Sequence, residues 1–145
     1  MRGAKFGFPG QPEKQGTDWF SVSQGMLQDA YSDAECFAIP LGVSERELSA
    51  LLKRHCVYFA EATQPHLVHW NLWAGNIFVQ ERRVTGLIDF EQSMWADILM
   101  ETGFRTSQQN AAFLRGYGQV TFYQRGAGVD SAIGCLFVSS EPLRV

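Results

Sequence analysis

The spacing of the apolar residues changes near Pro65, and this change limits the folds open to the chain more than any other feature. Before Pro65, apolar residues recur at three- and four-residue intervals, which predicts amphipathic helices over about 17–32, with Thr17 as its N-cap, and over about 44–61. The second helix begins with a capping box, in which Ser44 and Glu47 satisfy each other's backbone N–H groups. The first half of the chain is therefore expected to be mainly helical.

After Pro65 the apolar runs become short, which is typical of extended segments rather than of helices. The polar run 80–83 separates two of these segments and predicts the turn of a β-hairpin. The elements predicted here are strands at 67–69, 77–79 and 84–88 and helices at 95–101 and 108–116. Helices followed by a small hairpin indicate an α+β fold.

The length of 145 residues corresponds to one domain. Hydrophobic residues make up 46% of the chain and charged residues 19%, which excludes an intrinsically disordered protein. Glycine and proline are dense at the N-terminus, so residues 1–16 are predicted to be a lead-in loop. Residues 17–118 are then the expected folded domain, and residues 119–145 are a tail with a strand-like run at 120–123 and a short apolar run at 132–138.

Charge and cysteine content narrow the classes of function. Twelve Lys and Arg against fifteen Asp and Glu give a formal net charge of -3, which argues against nucleic acid as a partner. No apolar run approaches the roughly 18–20 residues that a membrane span needs, so no membrane association is expected. Cys36, Cys56 and Cys135 are widely spaced and odd in number, which favours small core residues in a reducing compartment, the cytoplasm.

Side chains that can bind a cation lie at both ends of the predicted hairpin. Asn76 immediately precedes its first strand, and Asp89 follows its last strand. Because a hairpin returns the chain to its starting point, both side chains should face one pocket, and Mg²⁺ prefers such oxygen ligands. Each residue alone could instead be a turn residue, since Asn and Asp favour turns. Their order, with the loop 69–76 first and the segment 88–91 after the hairpin, favours a Mg²⁺-nucleotide site.

This order of residues resembles the aminoglycoside phosphotransferase family, which is related to choline kinase and more distantly to protein kinases. The family's catalytic loop reads His-x-Asp-x-x-x-x-Asn, and an Ile-Asp-Phe or Ile-Asp-Trp metal motif follows one hairpin later. His69, Asn76 and Asp89 match these motifs in register. The resemblance extends more loosely from about Phe6 to Tyr117. It implies the mainly helical large lobe of a protein-kinase-like phosphotransferase, with the hairpin at its centre.

The resemblance also implies a reaction, the ATP-dependent phosphorylation of a small-molecule hydroxyl, with Mg²⁺ and ATP as cofactors. Asn76 and Asp89 would hold the Mg²⁺ and the nucleotide phosphates. His69 would brace the loop backbone near Asp89. Asn71 would meet the acceptor hydroxyl, and Asp97 would support the loop.

Two departures from the family pattern predict impaired activity. Asn71 stands where the family has its catalytic aspartate, and a neutral amide cannot accept a proton. The residues 1–16 cannot form the ATP-binding small lobe, so this lobe is expected to be absent. The alternative function is that of a non-catalytic pseudoenzyme, or a gene remnant, that acts as a binding module. An isolated large lobe would expose an apolar face and could self-associate.

Three other sequence patterns have more than one interpretation. Trp70 and Trp73 could stack on a substrate, but packing is the interpretation we favour for aromatic residues beside a buried loop. His66 and His69 form an H-x-x-H pair, but no Cys or His at a suitable spacing completes a zinc site. The segment 126–131 resembles half of a dinucleotide-binding fingerprint and lacks its third glycine.

Overall fold

The computed structural model describes residues 2–101 and 115–116 of the chain. Within these residues the chain is an α+β structure, as the sequence predicts. Its helices are α1 (Trp19–Cys36), α2 (Glu45–Arg54) and α3 (Cys56–Phe59). Its strands are β1 (His66–Val68), β2 (Ile77–Gln80), β3 (Arg83–Leu87) and β4 (Met94–Ala96). No helix in this part of the chain is long and apolar enough to cross a membrane.

The described residues divide into two compact units. The first unit holds residues 2–68 and 93–98, and thus the three helices and the sheet of β1 and β4. The second unit holds residues 69–92, 99–101 and 115–116, with the hairpin of β2 and β3. The predicted helix at 108–116 lies outside the described residues, apart from its last two residues, which are helical. The strand-like run 120–123 and the short apolar run 132–138 also lie outside them.

The cap of the first helix lies one residue later than the sequence predicts. Thr17 is the predicted N-cap, but the cap is Asp18, whose carboxylate accepts the Ser21 backbone N–H at 2.8 Å and the Ser21 hydroxyl at 2.6 Å. A carboxylate at this position also interacts favourably with the positive end of the helix dipole. The helix continues beyond its predicted end to Cys36, and the chain then turns away at Ala38, whose φ is 53°.

The second predicted helix is present, but it is divided into α2 and α3. Its capping box is confirmed, because the Ser44 N–H donates to Glu47 Oε2 at 2.9 Å and the Glu47 N–H donates to the Ser44 hydroxyl at 3.3 Å. The division falls at His55, where φ is -106° and ψ is 14°, outside the α-helical region. The His55 N–H is shared between the carbonyls of Leu51 and Leu52, which ends the first stretch.

Aromatic contacts join the elements of the first unit. The rings of Phe6 and Trp19 lie 5.4 Å apart, and Phe20 of α1 meets Phe59 of α3 edge-on at 5.6 Å. The buried apolar side chains of this unit are Phe6, Trp19, Val22, Leu27, Ala34, Leu48, Leu52, Phe59, Val68, Met94 and Ala96. The apolar faces that the helical spacing predicts therefore do form a core.

The N-terminal segment, predicted as a lead-in loop, is irregular but is bonded into the first unit. Phe6 and Gly16 exchange backbone hydrogen bonds of 2.7 and 3.1 Å, and Gly7 and Trp95 exchange bonds of 2.8 and 3.0 Å. The side chain of Phe6 is only 1% exposed. Phe6 and Gly7 are thus a packed part of the unit, which the density of glycine and proline did not indicate.

The segment 95–101 is not a helix, so this prediction is wrong. Met94 and Ala96 are fully buried while Trp95 between them is half-buried, which is the two-residue alternation of a strand. The strand β4 pairs antiparallel with β1, and only Ile98–Met100 forms a helical turn, of the 3₁₀ type. A short apolar run fits either structure by sequence alone, and the pairing with β1 decided between them.

Two of the three cysteines are not core residues, contrary to the prediction. Cys36 is the last residue of α1 and Cys56 is the first residue of α3, and both are exposed. Residues at the ends of helices lie where the chain turns, so their exposure does not follow the periodicity of the helix face. Cys135 lies outside the described residues.

The second unit contains the predicted hairpin. The strands β2 and β3 pair antiparallel, with Ile77 opposite Leu87 and a register shift after Phe78. The turn consists of Glu81 and Arg82, whose φ values of 50° and 65° are both left-handed, as a two-residue hairpin turn requires. Because the strand ends are paired, the residues just before β2 and just after β3 become neighbours.

Candidate functional site

The loop before β2 and the residues after β3 lie side by side in the second unit. The Ile88 N–H donates to the backbone carbonyl of Asn76 at 3.1 Å, which extends the hairpin pairing by one step. Asp89 follows with a φ of 67°, and Trp70 in the loop has a φ of 63°. Left-handed backbone is uncommon for a bulky residue such as Trp70, whereas Asp adopts it more readily. Two of the five left-handed non-glycine residues of the described chain therefore lie in the segments that carry the predicted site residues.

Asn76 and Asp89 are in contact, as their positions at the two ends of the hairpin predict. The Asn76 side-chain amide donates to Asp89 Oδ2 at 3.1 Å. Asn76 is 6% exposed, whereas Asp89 is exposed. The pair therefore presents a carboxylate that a ligand can reach from solvent and an amide that the surrounding loop holds in place.

Asn71 belongs to the same cluster. Its side-chain amide donates to Asp89 Oδ2 at 2.8 Å, and its backbone carbonyl accepts the Asn76 amide at 2.9 Å. One carboxylate oxygen of Asp89 therefore accepts hydrogen bonds from two neutral amides. An amide has no basic atom, so Asn71 can orient Asp89 but cannot remove a proton from a substrate.

His69 contacts the other segment through the backbone. Its Nε2 lies 2.9 Å from the carbonyl oxygen of Ile88, the residue before Asp89. Because a carbonyl oxygen only accepts, Nε2 carries the proton of this hydrogen bond. The ring is 5% exposed and lies 4.5 Å from the ring of Phe90. This arrangement suits a group that holds the backbone beside Asp89, not a base that meets solvent.

Glu101 is a residue of the site that the sequence pattern did not indicate. Its carboxylate accepts the backbone N–H of His69 at 2.8 Å, and Glu101 is only 4% exposed. A buried carboxylate thus fixes the start of the loop that carries Asn71 and Asn76. The available signal was a lone acidic residue directly after the apolar run Ile98–Met100, but the helix predicted for this segment gave it no partner.

The two tryptophans of the loop differ in exposure. Trp70 is half-buried, whereas Trp73 is 61% exposed. A Cβ atom on Gly75 would lie 2.4 Å from the Trp73 ring, so the glycine is required for this ring to lie against the loop. Trp73 is therefore mostly exposed, and the packing predicted for it is limited to its contact with the loop.

The remaining predicted residues lie in the first unit. Asp97 is buried and directly follows β4, and its supporting role stays a prediction. His66 is the first residue of β1 and pairs with Ala96. Among the residues that the structure describes, no group of three or more His, Cys, Asp and Glu side chains is placed to hold a metal ion.

The donor set of the cluster fits Mg²⁺ in chemical type. Mg²⁺ commonly takes one or two protein oxygens and completes its coordination with water and phosphate oxygens, so a cage of three acidic residues is not needed. Asp89 supplies an accessible carboxylate. The amide nitrogen of Asn76 is used by Asp89 and Asn71, which leaves its Oδ1 atom for a cation.

Comparison with known proteins agrees with this geometry. A sequence model of the phosphotransferase enzyme family matches residues 2–128. The match begins within the predicted lead-in loop and ends within the predicted tail, and the domain boundaries at 16 and 118 stay predictions. Searches of curated proteins and of solved structures give no significant match. Because the family model matches most of the chain, the chain belongs to the phosphotransferase enzyme family.

Proposed function

We propose that this chain carries the magnesium and phosphate end of an ATP-dependent phosphotransferase that acts on a small-molecule hydroxyl, and that its phosphoryl transfer is weak. The observation that carries the proposal is the contact between Asn76 and Asp89 across the hairpin, at 3.1 Å. Family membership supports the reaction class. In this proposal the described residues correspond to part of the large lobe of a kinase-like fold.

Each residue of the cluster has a distinct task in this function. Asn76 and Asp89 hold Mg²⁺, which neutralises charge on the phosphate oxygens when it is bound. His69 fixes the Ile88 carbonyl and so keeps the backbone of Asp89 in its left-handed conformation. Glu101 fixes the N–H of His69, which anchors the loop at its start.

The weak activity follows from Asn71. A general base typically contributes about 10²- to 10⁴-fold to a rate. Asn71 cannot supply this contribution, because its amide has no basic atom and already donates to Asp89. Phosphoryl transfer depends mainly on positioning and charge neutralisation, so slow turnover without a base is expected.

The acceptor is a small molecule rather than a nucleic acid, and the site of action is the cytoplasm.

A binding module without catalysis is the second candidate, and the exposed apolar side chains of the hairpin favour it. Phe78, Val79 and Val84 are 56%, 62% and 64% exposed. Val79 and Val84 are paired across the two strands, and exposed apolar side chains of this kind support association with a partner or with a second copy. Size-exclusion chromatography discriminates between the candidates, since a monomer that does not bind an apolar dye would contradict this alternative.

The experiment for the proposed function measures ADP release from Mg-ATP with a panel of aminoglycosides, choline-like alcohols and sugars. We expect slow release that is lost in Asp89→Ala and kept in Asp33→Ala, a matched control at an exposed acidic residue of α1. Asn71→Asp should raise the rate by about 10²- to 10⁴-fold. If Asp89→Ala releases ADP and binds a fluorescent ATP analogue as well as the unaltered chain does, the proposed function is wrong.

A further inference from the structure

We propose that Asn71 is a positioning residue that holds the Asp89 carboxylate in place without a divalent cation and thereby lowers the affinity of the site for that cation. The inference rests on the proposed function only in assigning the cation to Asp89. It concerns the resting state of the site, whereas the proposed function concerns its reaction with ATP.

The contacts around Asp89 carry the first step. Within the part of the chain that the structure describes, two amide nitrogens donate to its carboxylate, and both donate to one oxygen, Oδ2: Asn71 at 2.8 Å and Asn76 at 3.1 Å. The Asn76 nitrogen also donates to the Asn71 carbonyl at 2.9 Å, so the three side chains and one backbone group form a closed set. The orientation of Asp89 is therefore fixed by neutral donors from within the second unit.

Competition for the same oxygen is the second step. A cation that binds Asp89 through Oδ2 must displace or weaken the Asn71 hydrogen bond, which is the shorter of the two. Hydrogen bonds to a charged acceptor are stronger than those between neutral groups. The Asn71 hydrogen bond therefore weakens the binding of any cation that uses this oxygen.

Charge is the third step, and it predicts the behaviour of Asn71→Asp. The substitution would place two carboxylates in hydrogen-bond contact, where Asn71 now lies 2.8 Å from Asp89 Oδ2. Like charges at this distance repel each other, and a divalent cation between them converts the repulsion into attraction. With Asn71, the carboxylate of Asp89 is held without a cation. With an aspartate at this position, a cation would be needed to offset the repulsion between the two carboxylates.

The experiment measures cation binding on the full chain, apart from catalysis. Affinity for Mn²⁺, as a probe for Mg²⁺, is measured by electron paramagnetic resonance, and the melting temperature is measured with EDTA and with Mg²⁺. The variants are Asn71→Asp, Asn71→Ala and the exchange of Asn71→Asp combined with Asp89→Asn. The matched control is Gln11→Glu, which makes the same amide-to-acid change at an exposed position of the first unit.

We expect Asn71→Asp to bind Mn²⁺ roughly tenfold or more tightly than the unaltered chain, because a second carboxylate joins the cation. In EDTA its melting temperature should fall by about 3–6 °C and should recover with Mg²⁺. The exchange variant restores an amide–carboxylate pair and should melt like the unaltered chain in EDTA. Gln11→Glu should change neither quantity.

A residue with a merely structural role would lower the melting temperature of Asn71→Asp equally with and without Mg²⁺, and that result would overturn the proposal. If Asn71→Asp does not fold, Asn71→Ala decides: removal of the competing donor should tighten Mn²⁺ binding by roughly threefold, and unchanged or weaker binding refutes the inference. If Asn71→Asp gains affinity for Mn²⁺ but does not bind ATP, the proposed function is wrong and this inference stands. Equal Mn²⁺ affinity in all variants would refute this inference, whatever the ADP assay shows.

Discussion

Replacing Glu101 with alanine tests whether a buried carboxylate anchors the loop of the second unit. In the folded chain the His69 N–H donates to Glu101 Oε2 at 2.8 Å, and the two residues are 5% and 4% exposed. Alanine removes the acceptor and leaves the N–H buried. Because water has little access to either residue, the lost hydrogen bond cannot be replaced from solvent.

The expected magnitude follows from the type of hydrogen bond. A buried donor without a partner costs about 1–3 kcal/mol, and the hydrogen bond to a charged group contributes about 1.5–3 kcal/mol. Glu101→Ala should therefore lower the free energy of unfolding by about 2 kcal/mol. Glu101→Gln keeps a neutral acceptor, and neutral hydrogen bonds are about half as strong, so its cost should be about 1 kcal/mol.

Urea denaturation of the full chain, followed by circular dichroism, measures these differences. The control is Glu35→Ala, an exposed acidic residue of α1, which should change stability by less than about 0.5 kcal/mol. A cost of Glu101→Ala below about 0.5 kcal/mol would refute the reasoning, as the carboxylate would then not hold the loop. A cost near zero for Glu101→Gln would show that the charge of the acceptor has no part in the anchoring.

Three further predictions concern local features. Ser44→Ala removes the cap of α2 and should cost about 1 kcal/mol in urea denaturation, whereas Ser44→Thr should cost clearly less. Gly75→Ala should displace the Trp73 ring, which a Cβ would approach to 2.4 Å, and change tryptophan fluorescence; Gly10→Ala, where nothing lies within 4 Å of a Cβ, should not. Hydrogen bonds from the Ser44 hydroxyl and backbone N–H lower the pKa of Glu47 below its ordinary value of 4.5, so its contribution to helix stability is complete above that pH and is lost as the pH falls through the lower value in the folded chain. Circular dichroism should show this acid-induced loss in the unaltered chain and not in Glu47→Gln.

Local features of the fold were predictable because they depend on residues close together in the sequence. The capping box needs only Ser44 and Glu47, three residues apart, and it forms as predicted. The hairpin follows from two extended runs around a polar turn, and its pairing brings Asn76 to Asp89. The residues of the site cluster could therefore be named from the sequence, although their roles in catalysis stay predictions.

Only the tertiary structure decided what distant segments do to each other. The apolar run around Trp95 became a strand because β1 offered it backbone partners, and the helical pattern of this run gave no sign of that pairing. Glu101 reaches the N–H of His69 over 32 positions in the chain, a contact that no local pattern encodes. The sequence by itself determined the capping box of α2 and the hairpin, since both depend on residues close together in the chain, and the hairpin in turn brings Asn76 to Asp89. Only the tertiary structure decided the burial of polar groups, the anchoring of the loop and the exposure of the cysteines. These properties depend on which surfaces meet after folding.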